Sequence, residues 1–411
     1  MNHHTACSAA LAALLLLSTA NAQEWTRFRG PNGTGESETP IPAEWSDGSY
    51  RFKVELPGAG HSSPVLWGQK LFLTCAIDKG AVRLLLCLDA STGQELWRKD
   101  LPSATHHVHE QNSFASSTPA VDADRVYLAL ATPEQYSIQA FDHDGHPAWQ
   151  ADLGPFAAEH GFGTSPIVLD DLVVVNNDQD QESFLVALDR HTGEVRWKTP
   201  RKTVFVAYST PCVYEPAGGK RQLIFNSQAH GISSLDPATG DVNWELAVFD
   251  KRSVSSPLVV AGLVFGSCGS GGGGNYLVAV RPGDSSGPPE VAWKFDKSAP
   301  YVPTSVAQRE LLFCFGDNGV AACLHAPTGK AAWQGQRIGG NFSGSPVRAG
   351  ERIFCANADG DVIVIAATDR YRLLARNSLG ETCRSTPAIA NGNMYLRTQS
   401  HLYCVAGENA R

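Results

Sequence analysis

The segment LDASTGQELW at residues 88–97 belongs to a phrase that recurs along the chain and ends each time in tryptophan. The other copies are FDHDGHPAW at 141–149, LDRHTGEVRW at 188–197, LDPATGDVNW at 235–244, HAPTGKAAW at 325–333 and a looser VRPGDSSGPPEVAW at 280–293. Successive tryptophans lie 52, 48, 47, 49 and 40 residues apart. A repeat of this length is typical of propeller blades rather than of helical solenoids.

Each repeat divides into four short segments that read as strands. The first follows a Ser/Thr-Pro step, where proline is tolerated because a residue at a strand start need not donate to the ladder. These steps are Ser63-Pro64, Thr118-Pro119, Ser165-Pro166, Thr210-Pro211, Ser256-Pro257, Ser345-Pro346 and Thr386-Pro387, with Pro303-Thr304 as an inverted variant. The second and third segments are β-branched or aromatic runs bounded by Gly, Asp and Asn, as expected of strands.

The fourth strand shows how the chain closes. Seven copies follow a third strand, but the chain ends just after the eighth third strand, at Val405. The missing strand is predicted at residues 50–57, because Phe52 stands five residues before Pro57 as Trp97 stands before Pro102. The sequence therefore predicts an all-β, eight-bladed β-propeller of four-stranded antiparallel blades, with the last blade completed by an N-terminal strand. Such closure leaves only short, protected sheet edges.

The N-terminal region reads as an export signal. Residues 1–22 combine an apolar run at 9–17 with the small-residue site Ala20-Asn21-Ala22, a pattern typical of a cleaved secretory peptide. We expect residues 23–49 to form an N-terminal extension and 50–411 a single propeller domain. The residue directly after the cleavage site is Gln23 and not a cysteine, so we expect a soluble periplasmic or extracellular protein without a lipid anchor.

The charge pattern limits the classes of partner. The formal net charge is −8, and the charges are scattered rather than grouped in blocks. A nucleic-acid-binding protein needs a basic stripe, so nucleic acid is not an expected partner. No segment is apolar enough over about 20 residues to cross a bilayer as a helix. We expect a monomer that binds an unidentified protein or small-molecule ligand.

The ten cysteines leave two interpretations open. Cys314 and Cys323 flank a turn symmetrically and are expected to lie opposite each other on neighbouring strands, and Cys75 and Cys87 are placed similarly in an earlier hairpin. Either pair could form a disulfide in an oxidising compartment. Buried free thiols acting as small apolar side chains are the favoured interpretation.

The recurring tryptophans are interpreted as structural. We expect them to pack between neighbouring blades, each held by the Asp-x-x-Thr-Gly turn that precedes it in the chain. The six docking residues are Trp97, Trp149, Trp197, Trp244, Trp293 and Trp333. Stacking on a ligand is the alternative, which six equivalent positions on outer strands disfavour.

The recurring phrase, whose fullest form is Asp-x-x-Thr-Gly-x-x-x-Trp, together with the eight predicted blades, resembles the docking motif of pyrroloquinoline-quinone-type repeat propellers. That superfamily contains the quinoprotein alcohol dehydrogenases and the BamB-like outer-membrane assembly factors. The opening WTRFRGPNG at 25–33 also resembles an exported bacterial branch of these propellers. The resemblance covers essentially the whole mature chain and is specific for fold, whereas one fold hosts unrelated activities.

The resemblance to the quinoprotein enzymes implies a set of residues that this chain largely lacks. Those enzymes hold pyrroloquinoline quinone with calcium over a flat aromatic floor, beneath a disulfide between adjacent cysteines. This sequence has no adjacent cysteines, and Trp25 and Trp45 lie in the N-terminal segment, which leaves Trp67 as a poor candidate floor. We therefore expect no cofactor, with pyrroloquinoline quinone and calcium as the disfavoured alternative.

Polar and aromatic residues are expected to meet where the loops between blades surround the central opening of the propeller. A concave site lined by convergent polar groups is the default location for ligand binding. The candidate ligand-binding residues are His61, His107, His109, His160, Tyr208, Arg252, Tyr301, Asn341 and Arg384. Polar loop side chains that merely line water are the competing interpretation.

The histidine-rich stretch His106-His107-Val108-His109-Glu110 suggests a metal site if His61 or His160 approaches it. Solvated or hydrogen-bonded histidines are the favoured interpretation, and no catalytic residue is assigned. The preferred functional hypothesis is an exported, non-catalytic binding or scaffold module. The alternative is a small quinoprotein-like oxidoreductase or a metal-dependent enzyme that uses the histidine-rich funnel face.

Overall fold

The structure is a ring of eight four-stranded antiparallel sheets, with strands that run in chain order from the axis outwards in seven of them. It is a computed structural model that describes residues 24–284 and 287–408. The predicted signal peptide, residues 1–22, lies outside the described residues. The prediction of an eight-bladed propeller is confirmed.

The four strands of a blade are called inner, second, third and outer. The inner strands of blades 1 to 8 are Val65–Trp67, Ala120–Val121, Ile167–Leu169, Cys212–Tyr214, Leu258–Val260, Val306–Gln308, Val347–Ala349 and Ala388–Ala390. The second strands are Lys70–Ile77, Arg125–Ala131, Leu172–Asn177, Gln222–Ser227, Leu263–Cys268, Leu311–Phe315, Arg352–Ala356 and Asn393–Arg397. The third strands are Val82–Asp89, Tyr136–Asp142, Ser183–Asp189, Gly231–Leu235, Tyr276–Arg281, Val320–His325, Asp361–Ala366 and His401–Ala406. The outer strands are Glu95–Pro102, Pro147–Asp152, Val195–Arg201, Val242–Leu246, Glu290–Phe295, Ala331–Arg337, Leu373–Ser378 and, for blade 8, Tyr50–Glu55.

A few elements lie outside this pattern. The strand Glu36–Ser37 pairs in parallel with the inner strand of blade 7. Three short 3₁₀ turns, each of three residues, occupy Pro31–Gly33, Asp47–Ser49 and Asp78–Gly80. Regular α-helix is absent from the part of the chain that the structure describes.

The ring closes as the sequence predicts. The N-terminal strand Tyr50–Glu55 pairs antiparallel with the third strand of blade 8, and its residues Phe52 and Lys53 stand opposite Cys404 and Tyr403. Because this strand belongs to one chain end and its partner to the other, the two ends form one sheet.

The turn before each outer strand follows from its sequence. In blade 1 the carboxylate oxygen Oδ1 of Asp89 accepts hydrogen bonds of 2.9 Å from the backbone N–H groups of Ser91 and Thr92. Gly93 then adopts φ 74°, in the left-handed region that glycine enters without a steric cost. The hydrogen bonds to the carboxylate explain why the turn begins with Asp, and the positive φ explains why it ends with Gly.

The tryptophans connect each blade to the next. Trp97, Trp149, Trp197 and Trp293 each donate their indole N–H to a backbone carbonyl in the turn of the following blade, at 2.8–2.9 Å. The same rings lie against the glycine of that turn: a Cβ added to Gly193, for example, would lie 2.6 Å from the ring of Trp149.

This geometry corrects one expectation. The turn that holds these four rings belongs to the next blade, and not to the repeat that contains the tryptophan. The reason is that the start of an outer strand lies at the blade boundary, where it faces the neighbour's turn. Phe52 takes the same place between blades 8 and 1, because a Cβ on Gly93 would lie 2.6 Å from its ring.

Two of the six tryptophans depart from the pattern, because the receiving turn has diverged. Trp244 donates to the side-chain oxygen of Gln222 in its own blade, at 2.9 Å. The turn that would receive Trp244 belongs to blade 5, whose repeat is the looser copy at 280–293. Trp333 donates to the carbonyl of Thr368 at 3.2 Å and packs edge-on against Tyr371, 5.3 Å between ring centroids.

The nine cysteines within the described residues are all buried free thiols. The prediction that Cys314 and Cys323 stand opposite each other is wrong by one position, because Cys314 pairs with Ala322. A shift of one residue sends the two side chains to opposite faces of the sheet, where they join different core clusters. Cys75 and Cys87 are likewise on opposite faces of blade 1.

Candidate functional site

A ring of hydroxyl groups surrounds the propeller axis. Each blade contributes the serine or threonine that lies two residues before its inner strand. The backbone N–H of that residue donates to the hydroxyl oxygen of the equivalent residue in the next blade. This bond is present at seven blade boundaries, with lengths of 2.9–3.2 Å. The ring consists of Ser63, Thr118, Ser165, Thr210, Ser256, Thr304, Ser345 and Thr386.

The hydroxyl ring explains why a serine or threonine, and not only a proline, recurs before each inner strand. Buried backbone N–H groups need a hydrogen-bond acceptor, and next to the axis the neighbouring blade's hydroxyl provides it. In blade 6 the order is inverted to Pro303-Thr304, yet Thr304 still accepts from Ser256 and donates to Ser345. The hydroxyl, not the proline, is the feature that all eight blades share.

The N-terminal extension lies against the inner strands of several blades near the propeller axis. Trp25 is fully buried and its backbone pairs with Leu66 of blade 1, while the backbone carbonyl of Thr26 accepts from Val121 of blade 2. Farther along, the backbone N–H of Arg348 in blade 7 donates to the carbonyl of Gly35. The extension therefore contacts blades 1, 2 and 7 through its backbone.

Two buried arginines hold this segment in place. The guanidinium of Arg29, 0% exposed, donates to the backbone carbonyls of Thr304, Ser305 and Pro346 at 2.7–3.1 Å. Arg27 donates to the carbonyl of Pro211 in blade 4. Between them Phe28 reaches the central cavity, and we call the end of the cavity next to Phe28 its floor.

The cavity above this floor has a volume of about 760 Å³ and is lined by loops from all eight blade boundaries. Seven of the nine candidate residues line it: His61, His109, His160, Tyr208, Arg252, Tyr301 and Arg384. His107 and Asn341 do not line it and are exposed. We call this cavity the funnel.

Arg252 organises one wall of the funnel. Its guanidinium lies 3.2 Å from Nδ1 of His160 and 3.3 Å from a carboxylate oxygen of Glu159. It also lies over the ring of Phe205, 5.2 Å from the centroid. One side chain thus links loops that come from three successive blade boundaries.

The facing wall is made by His61 and Arg384. Burial, together with the positive charges of Arg397 and Arg384, lowers the pKa of His61 to about 3. The imidazole is therefore neutral at any physiological pH. On the other wall, burial and the neighbouring Arg252 also lower the pKa of His160.

The histidine-rich stretch does not converge on one point. His106 packs edge-on against Phe114, 5.2 Å between centroids, whereas His109 lies against His160 at 4.7 Å. Glu110 is exposed, as is His107. Within residues 24–284 and 287–408, no group of three or more His, Cys, Asp or Glu side chains is placed to hold a metal ion.

Sequence reasoning missed several funnel residues. Phe28 is the most important, and the signal for it was the pair of arginines that flank an aromatic residue in a short polar extension. The eightfold recurrence of a hydroxyl residue before the inner strand was a second signal. Glu159 and Ser343 carry no motif and are identified only by their position.

Comparison with known proteins agrees with this architecture. The family model described as outer membrane protein assembly factor BamB matches residues 44–204, 155–286 and 286–401. The BamB of Yersinia pestis is 22% identical over 353 residues, which are 83% of this chain and 82% of that protein.

Solved structures show the same fold at low identity. The BamB of Moraxella catarrhalis superposes with a TM-score of 0.61 at 14% identity, covering 88% of this chain and 98% of that one. The quinohemoprotein alcohol dehydrogenase of Comamonas testosteroni gives a TM-score of 0.64 at 12% identity, covering 94% of this chain and 81% of that one. The chain therefore belongs to the BamB family of PQQ-repeat β-propellers.

Proposed function

We propose that this protein is an exported, non-catalytic binding module that takes its ligand in the funnel. The observation that carries the proposal is a cavity at the propeller axis, lined by residues from all eight blade boundaries and by Phe28 of the N-terminal extension. Its volume of about 760 Å³ lies within the range of about 300–1,000 Å³ typical of ligand pockets. Mixed polar and aromatic walls are also typical of such sites.

The funnel is held by a rigid frame. The hydroxyl ring fixes the inner strands at the axis, and the tryptophans fix the outer strands at the blade boundaries. A preformed cavity loses little conformational entropy when a ligand binds. A scaffold of this kind supports binding without a change in blade arrangement.

The residues present do not fit a calcium–quinone site. The floor is the single phenyl ring of Phe28, and Trp67 lies away from the funnel against His143. The two carboxylates in the funnel wall are held by other groups, Glu159 by Arg252 and Asp250 by Tyr276. This donor set supports neither a quinone cofactor nor the quinoprotein oxidoreductase alternative.

A protein ligand is the second candidate. The relatives are named as assembly factors for outer membrane proteins, which is a role that acts on other proteins. At the funnel mouth Val204 and Phe205 are 54% and 46% exposed, and exposed apolar side chains favour contact with a partner. No helix within the described residues is long and apolar enough to cross a membrane, and we propose that a monomer acts in the periplasm or outside the cell.

A crystallographic fragment screen tests the proposal and does not require the identity of the ligand. Small aromatic and polar fragments are expected to collect in the funnel of the wild-type protein. In Gly163→Trp they are expected to be excluded, because Gly163 lines the funnel and a Cβ there meets only ordinary contacts, 3.5 Å or more away.

Gly48→Trp is the matched control, since a Cβ at Gly48 meets nothing within 4 Å and the residue lies outside the funnel. This variant is expected to bind fragments like the wild type. Fragments that bind throughout the surface but avoid the wild-type funnel would refute the proposed function.

A further inference from the structure

Positive charge gathers at the axis of a chain whose formal net charge is −8. Lys251, Arg252 and Arg384 line the funnel, and the buried Arg27 and Arg29 lie beside its floor. The carboxylates in the lining are Glu159 and Asp250. The three cations outnumber the two carboxylates in the lining, and an excess of positive charge in a cleft favours an anion inside it.

The cations of the funnel differ in how they are compensated. Arg252 is paired with Glu159 at 3.3 Å, and Lys251 donates to the carbonyls of Gly273 and Gly274 at 2.9 and 3.0 Å. Arg384 makes a single hydrogen bond within the described residues, 3.1 Å to the hydroxyl of Ser343. No carboxylate within the described part of the chain lies within ion-pair distance of Arg384.

A second guanidinium adds positive charge next to the funnel wall that His61 and Arg384 form. Arg397 is 1% exposed and donates to the backbone and hydroxyl oxygens of Ser62 at 2.9 and 2.6 Å. Its remaining partner is the thiol of Cys75 at 3.4 Å, so no acidic side chain neutralises it among the residues that the structure describes. The positive charges of both guanidinium groups lower the pKa of His61, which lines the funnel.

The guanidinium of Arg384 and the groups around it suit an anionic ligand group. Arginine presents several N–H donors in one plane, which suits two oxygens of a carboxylate, sulfonate or phosphate group. With one donor used by Ser343, others stay free to face the funnel. The neutral imidazole of His61 adds a hydrogen-bonding group without a second charge.

We propose that Arg384, Ser343 and His61 form the binding site for the oxyanion group of a small organic acid. The apolar part of that ligand lies over Phe28. This inference rests on the proposed function and names the chemical class of its ligand. The occupant is a small molecule with one anionic end, which is a carboxylate, sulfonate or phosphate group.

Two bromine-labelled probes of equal size test the charge preference. Crystals of the wild-type protein are soaked in 4-bromobenzoate or 4-bromobenzamide, and the anomalous signal of bromine locates each probe. Calorimetric titration of the same probes gives their affinities. We expect 4-bromobenzoate to bind with its carboxylate at Arg384, at least 10-fold more tightly than the amide, as a charge-assisted hydrogen bond requires.

The variant Arg384→Gln removes the charge and keeps a polar side chain. It is expected to weaken 4-bromobenzoate at least 10-fold and to leave 4-bromobenzamide within about 2-fold. Arg98→Gln, on the exposed outer strand of blade 1, is the matched charge control and is expected to bind both probes like the wild type. Circular dichroism and the melting temperature check that both variants fold.

The outcomes separate this inference from the proposed function. Equal affinity for the two probes, or unchanged 4-bromobenzoate binding in Arg384→Gln, overturns the anion site while leaving the funnel a binding site. Failure of 4-bromobenzoate to occupy the wall at Arg384 also overturns it. Exclusion of every fragment from the funnel refutes the proposed function itself.

Discussion

The substitution Gly193→Ala tests how blades are joined. Gly193 has φ 76°, and an added Cβ would lie 2.6 Å from the ring of Trp149 in the preceding blade. The positive φ costs about 1–2 kcal/mol for any residue with a Cβ, and the overpacking against the ring about 1–3 kcal/mol. We expect a total loss of about 2–5 kcal/mol in the free energy of unfolding.

Gly262→Ala is the matched control. Gly262 has φ 74°, but nothing lies within 4 Å of its Cβ position. This variant carries only the backbone strain, about 1–2 kcal/mol. The difference between the two glycine variants is therefore the contact with the tryptophan.

A double-mutant cycle then identifies which tryptophan is touched. With Trp149→Ala the cost of Gly193→Ala is expected to fall to about 1–2 kcal/mol, because only the φ strain remains. With Trp197→Ala, which follows Gly193 in the same repeat, the cost is expected to stay at about 2–5 kcal/mol. Unfolding in urea is followed by far-UV circular dichroism, because tryptophan fluorescence changes with the substitutions. Coupling to Trp197 rather than to Trp149, or equal costs for Gly193→Ala and Gly262→Ala, would refute the reasoning.

Three further outcomes follow from the structure. Thr304→Val is expected to destabilise the protein by about 1–3 kcal/mol, because it leaves the buried N–H of Ser256 without its acceptor. Thr304→Ser keeps the hydroxyl and is expected to stay near the stability of the wild type. Equal losses of stability for the two variants in urea unfolding would contradict the role of the hydroxyl ring. The pKa of His61 falls from 6.5 to about 3 on folding, so its contribution to stability is present above pH 6.5 and is lost as the pH falls towards 3, by about 2 kcal/mol at pH 5. The histidine NMR resonance that disappears in His61→Gln should not titrate between pH 5 and 8, and a midpoint near 6.5 would contradict its burial. Thiol titration of the protein without residues 1–22 should find nine reactive cysteines in denaturant and almost none before unfolding. Fewer than nine reactive thiols in denaturant would mean that some cysteines form disulfides.

Much of the fold was predictable because the signals are local. The turn chemistry of Asp89 and Gly93 acts within a few residues, and the same phrase recurs in each blade. The position of Phe52 relative to Pro57 identified the strand that closes the ring. Strand pairing confirms it, with Phe52 opposite Cys404.

Less of the site was predictable, because its members meet only after closure. Loops between blades were expected at the axis, and seven of nine candidates line the funnel. His107 and Asn341 do not, since the sequence of an irregular loop does not fix which side chain turns inward. The pairing of Cys314 was off by one residue because symmetry about a turn does not determine register.

The sequence by itself determined the number of blades, the strand order and the closure, because each depends on periodicity and on turns formed within one repeat. Only the tertiary structure decided that Arg29 binds carbonyls more than 270 positions away in blades 6 and 7, that Phe28 reaches the central cavity, and that Trp97, Trp149, Trp197 and Trp293 bind the turn of the next blade. Those contacts join residues whose separation along the chain carries no pattern. They arise because a closed ring brings eight blade boundaries and one N-terminal segment to a single axis.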